Sequence, residues 1–95
     1  MELRQLAIFA AAAREKSYST AARKLFISHS TVSRAVTALE AELGVHLVAR
    51  ISNNVVGLTP AGEALYEEAV RLVELERAAR ARVIQIGKET EVETQ

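Results

Sequence analysis

Within one stretch of ten residues the chain places Ser28, His29, Ser30, Thr31, Ser33, Arg34 and Thr37. Short hydroxyl donor–acceptors, one imidazole and one long guanidinium are side chains suited to base-pair edges and phosphate oxygens. The alternative reading of the same pattern is a solvated polar face on a small helical domain. Catalysis finds less to work with. The chain has no Cys and no Asp, and its two histidines, His29 and His46, stand 17 residues apart. No Ser-His-acid arrangement and no His pair at ligand spacing results. A metal would need improvised Glu ligands, and no glycine-rich phosphate cradle occurs. The glutamates toward the C-terminus read as the solvated face of a helix. The sequence predicts a protein that is not an enzyme and uses no metal or cofactor.

Ninety-five residues allow one domain and an appended element. An apolar content of 49% with 25% charge is that of a folded chain. The absence of Cys removes disulfide scaffolds and fits a reducing compartment. No apolar run approaches the roughly 20 residues that span a bilayer. The start, Met1-Glu2-Leu3-Arg4-Gln5, has neither the basic opening nor the apolar stretch of a signal peptide. A soluble cytoplasmic protein with no membrane partner is expected. Twelve Lys and Arg balance twelve Glu, yet the balance hides a split. Residues 1–60 carry seven basic and four acidic side chains (+3), whereas 61–95 carry five and eight (−3). Such asymmetry points to different partners for the two parts.

The polar run needs a frame, and hydrophobic spacing supplies one. Leu3, Leu6, Phe9, Ala10 and Ala13 recur at steps of three and four, predicting a first helix over about 3–14. Ser17-Tyr18-Ser19-Thr20 interrupts it. Ser19 is read as the N-cap of a short second helix to about residue 25, with Ala22, Leu25 and Phe26 facing inward. Phe9, Phe26 and Tyr18 are assigned to the core or its edge. Ser28 caps a third helix bearing Val32, Val36 and Leu39 on one face. That helix ends near residue 42, with Gly44 as a left-handed stop. Val45, Leu47, Val48, Ile51, Val55, Val56 and Leu58, broken by Ser52-Asn53-Asn54, read as two short antiparallel strands. Thr59-Pro60 opens a fourth helix over 60–87, about 40 Å long, ended by Gly87 and followed by a frayed tail at 88–95. The layout is mainly α. It is that of a winged helix-turn-helix over 1–59 (helix-turn-helix about 18–37, wing about 48–58) with a long C-terminal dimerisation helix.

The residues themselves carry a resemblance. Leu6-x-x-Phe9, Ser17-Tyr18-Ser19-x-Ala21-Ala22-x-x-Leu25 and Ile27-Ser28-x-x-x-Val32-Ser33-Arg34-x-Val36-x-x-Leu39-Glu40 are followed by Glu42-Leu43-Gly44-Val45-x-Leu47, Arg50 and Leu58-Thr59-Pro60-Ala61-Gly62. In this order and register they closely resemble the N-terminal domain of LysR-type transcriptional regulators, over roughly residues 1–73. The resemblance implies sequence-specific binding of double-stranded DNA in a bacterial or archaeal cell, at the nucleoid. It also implies a linker helix that pairs antiparallel with that of a second subunit.

Departures from the family pattern bear on affinity and base preference. The family usually has Gln-Pro where this chain has His29-Ser30, and basic residues in place of Thr37 and Ala38. Its wing usually carries Arg near the tip, whereas Ser52-Asn53-Asn54-Val55-Val56-Gly57 holds no charge. Arg34 is the foremost candidate for a base or phosphate contact, with a structural ion pair as the alternative. His29 suits a base edge or a phosphate, against an uninvolved surface His. The resemblance favours groove contacts for Ser30 and Ser33, beside Ser28, Thr31 and Thr37. Ser17 and Ser19 suit phosphate at the start of the second helix. Arg50 is read as a backbone clamp at the wing base, with Asn53 and Asn54 at its tip.

On the fourth helix Leu65, Ala69, Leu72, Glu76, Ala79, Val83 and Ile86 step by four and three, a heptad seam with one charged break. Val70, Val73 and Leu75 extend its apolar surface. These residues are the expected homodimer interface, with a higher oligomer also open. Most full-length family members continue into an effector-binding domain beyond this helix; a 95-residue chain without one is read either as a fragment of a longer regulator or as a stand-alone module. Two functions stand at this point: a dimeric DNA-binding regulator, or a dimerisation module of weak DNA affinity that pairs with a full-length relative.

Overall fold

A computed structural model describes residues 1–51 and 55–94, with side chains except at 50 and 91–94. Three helices come first: α1 (Leu3–Glu15), α2 (Tyr18–Leu25) and α3 (His29–Leu43). The strands β1 (Val48–Arg50) and β2 (Val56–Leu58) then form an antiparallel hairpin, and α4 (Pro60–Thr94) closes the chain. This is the mainly α winged arrangement anticipated from the sequence.

Helix α1 is central, packed by α2, α3 and α4. Its run Ala10, Ala11 and Ala12 is buried beside Leu6, Ile8 and Phe9, because small side chains let neighbours approach on several sides. Phe9, Val32, Val36, Leu39 and Leu47 are the largest fully buried side chains. Among the described residues no polar or charged side chain is buried.

Local chemistry sets the helix ends. Ser17 Oγ accepts from the Thr20 backbone N–H at 3.1 Å, so Ser17 caps α2 and Ser19, two positions later, is an exposed residue of its first turn. Phe26 corrects the sequence reading further. It adopts a left-handed conformation (φ 57°) at the end of α2, its N–H bonded to Arg23 O, while the Ile27 N–H returns to Ala22 O. That turn swings Phe26 off the buried face of α2. It is 94% exposed, and Ile27 packs on the core instead. Leu25, also expected inside, is exposed as well. Ser28 caps α3, and Gly44 ends it at φ 71°.

The hairpin pairs Val48 with Leu58, Ala49 with Gly57 and Arg50 with Val56. Its base is tied on three sides. Glu40 Oε2 on α3 accepts the Leu47 N–H at 2.8 Å. The Val56 N–H donates to Lys16 O, and the Thr59 N–H donates to Leu47 O. Thr59 Oγ1 donates to His46 O at 2.6 Å and accepts the Gly62 N–H at 3.0 Å, capping α4. A Cβ at Gly62 would overlap the Leu47 carbonyl oxygen, so the Leu-Thr-Pro-Ala-Gly segment lets α4 start flush against the wing.

Helix α4 runs 35 residues, about 52 Å, and Gly87 does not end it. Glycine costs about 1 kcal/mol inside a helix but stops one only where the backbone turns left-handed. The stretch expected as a frayed tail is helical through Thr94.

Candidate nucleic-acid interface

The polar run lies where α3 begins. On a helix advancing about 100° per residue, Ser30, Ser33, Arg34 and Thr37 share one face. Ser30, Arg34 and Thr37 are exposed and Ser33 is half-buried. Among the described residues Arg34 has no hydrogen-bond or ion-pair partner, so its guanidinium is not engaged in a structural pair. Ser28 Oγ lies 2.7 Å from Thr31 Oγ1 and 3.1 Å from Ser30 Oγ while accepting the Thr31 N–H. Ser28 Oγ thus has its full hydroxyl capacity occupied in the cap, whereas Thr31 Oγ1 keeps capacity for further partners.

The start of α2 lies beside the start of α3. The ring of Tyr18, the first residue of α2, lies 5.8 Å from that of His29, the first residue of α3. This brings Ser17 and Ser19 to the same edge as His29 and Ser30. Two helix N-termini, each with a positive dipole end, converge with five hydroxyls and an imidazole; such an edge suits an anionic backbone and adjoining base edges. Arg50 stands at the last position of β1. Asn53 and Asn54, with Ser52, lie outside the described residues.

The predicted interface on α4 divides in two. The near turns of the helix lie against the body, whereas farther along it projects past the body and its side chains are exposed. Ala69 is 0% exposed within its own chain and offers no face to a partner, while Leu65 is half-buried against the core. Val73 and Glu76 are half-buried, lining a groove with Leu3, Arg4 and Ala7 of α1, and Glu76 pairs with Arg80. Leu72, Ala79, Val83 and Ile86 are exposed, and Leu75, which joins them, is 67% exposed.

Three residues that hold this site carry little signal for it in the sequence: Tyr18 reads there as core edge, and Glu40 and Gly62 as parts of motifs. Glu40 carried a signal: a carboxylate one helical turn before a chain reversal can reach the amides beyond it.

The model of the bacterial regulatory helix-turn-helix protein, lysR family, matches residues 3–63. The HTH-type transcriptional regulator TfdS of Cupriavidus pinatubonensis is 49% identical over 79 residues, covering 83% of this chain and 26% of that protein. The HTH-type transcriptional regulator BudR of Klebsiella aerogenes is 44% identical over 79 residues, covering 83% of this chain and 54% of that protein. The chain thus spans about a quarter to a half of these relatives. Among solved structures, the BenM_DBD/catB site 1 DNA complex superposes with a TM-score of 0.85 at 37% identity, over 92% of this chain and 96% of that one. The CbnR_DBD–DNA complex gives 0.83 at 39% identity, over 92% and 99%.

Proposed function

This chain belongs to the lysR family of bacterial regulatory helix-turn-helix proteins, and we propose that it is a sequence-specific, duplex-DNA-binding transcriptional regulator acting as a homodimer. The observation that carries the reading is the exposed face of α3, with an unengaged Arg34 guanidinium beside the converging N-termini of α2 and α3. In this reading α3 enters the major groove, which is about 12 Å wide and admits a helix. Ser30, Ser33, Arg34 and Thr37 face the bases, with His29 leading. Ser17, Ser19, Ser28 and Thr31 meet phosphate, Arg50 clamps the backbone, and Asn53 and Asn54 approach it from the wing.

Dimerisation uses the outer stripe of α4, namely Leu72, Leu75, Ala79, Val83 and Ile86, flanked by Val73 and Glu76. A compact chain of 10.3 kDa exposes about 5,400 Å², whereas this one exposes 6630 Å². The excess, with an apolar stripe on it, supports antiparallel pairing with the α4 of a second copy. Among the described residues no helix is long and apolar enough to cross a membrane, in keeping with work at the nucleoid in the cytoplasm.

Polarisation titrations against genomic duplex fragments at two salt concentrations test the function. A subset of fragments is expected to bind well above the rest, with affinity falling as salt rises. Equal, weak binding to every duplex at both concentrations favours the second reading, a dimerisation module pairing with a longer relative. Zero net charge is the feature that speaks for that module.

A further inference from the structure

We infer that Tyr18 is a positioning residue that holds the His29 imidazole as a reader of guanine at the leading end of α3. The inference rests on the DNA-binding reading above and names a base that reading leaves open. Tyr18 is only 9% exposed, so its ring is fixed by the core. His29 is exposed, and an exposed side chain at a helix start ordinarily samples several rotamers. Here its ring lies 5.8 Å from Tyr18, with the planes tilted by 54°. That separation is within the 4.5–7 Å over which aromatic rings attract. The buried partner narrows the choices of the exposed one.

What a held imidazole can read follows from its donor inventory. A neutral imidazole has one N–H donor and one acceptor nitrogen, and the two diverge across the ring. It cannot present the side-by-side donor and acceptor with which Gln or Asn engages adenine N6 and N7. One N–H aimed into the groove meets two acceptors, N7 and O6, on guanine. On adenine the N6 amino group occupies the place of O6 and opposes the donor. His29 stands where the family usually carries Gln, a side chain whose geometry suits adenine, so the two residue types favour different bases.

Selection from a random duplex library followed by sequencing tests the inference. The parent is expected to enrich sites with one position preferring guanine over adenine by about fivefold, the worth of one net hydrogen bond. In H29Q that position moves to adenine, and in H29A and Y18L it flattens. In Y18F, which keeps the ring, it stays guanine, and every other position is unchanged throughout. A guanine position that survives H29A, or stays sharp in a folded Y18L, overturns the inference while leaving DNA binding intact. A parent that enriches no sequence overturns the proposed function and this inference with it. Because Tyr18 is buried and Y18L risks misfolding, proton NMR of the unmodified chain supplies a second arm. The ring protons of His29 should be shifted by the Tyr18 ring current relative to those of His46, which is 91% exposed. Coincident shifts for the two histidines overturn the contact itself.

Discussion

Arg34 joins exposure to the absence of any intramolecular partner among the described residues. An unpaired guanidinium stays available to outside acceptors, and its planar fork gains most where it meets two at once. Arg34→Ala should therefore cost about 1–3 kcal/mol of specific binding, read by polarisation, with far-ultraviolet circular dichroism unchanged. Gly62 works through fold instead. A methyl there must displace the Leu47 carbonyl and with it the base of the wing. Gly62→Ala should lower stability by roughly 1–3 kcal/mol, seen as an earlier urea midpoint. Arg34, Ser28 and Gly44 were legible in the sequence because helix caps and polar faces obey rules spanning four residues. Phe26 and Ser17 were not. Each depends on where the backbone turns left-handed between α1, α2 and α3, at Lys16 and at Phe26 itself, and neither position carries the glycine that would mark it.

At the scale of elements, α4 shows how a correct pattern can hide two faces. The heptad steps are real, but the body covers only the near part of α4, so Leu65 and Ala69 pack inward while Ala79, Val83 and Ile86, farther along the projecting helix, are exposed. Only tertiary packing decides where the changeover falls. Among the described residues of the helix, the ion pairs Arg71–Glu68, Arg77–Glu74 and Arg80–Glu76 support it locally by a few tenths of a kcal/mol each. They leave the outer stripe uncovered. A charge at Ala79 stays in water on a monomer but would be desolvated within a helix pair, at a cost of several kcal/mol. Ala79→Glu should accordingly sediment as a folded monomer under conditions where the parent is a dimer. A parent that is already monomeric at tens of micromolar would leave the stripe as exposed surface.

The whole molecule measures 57 × 25 × 18 Å, a small body with a helix projecting from it. Antiparallel pairing of two such helices sets the bodies at opposite ends and relates their α3 helices by a two-fold axis. A pair of this kind recognises an inverted repeat, because the symmetry of the protein is mirrored in its site. It also makes the second half-site an intramolecular target, raising affinity beyond that of one body. Symmetry in the selected DNA thus joins the claim about α3 to the claim about α4. The direct measurement is to sequence the duplexes this chain enriches from a random library and examine them for symmetry. The expected result is two inverted half-sites at a fixed spacing, lost together with tight binding when one half is scrambled. Enrichment of a single unrepeated half-site, or of none, would contradict a dimeric sequence-specific regulator.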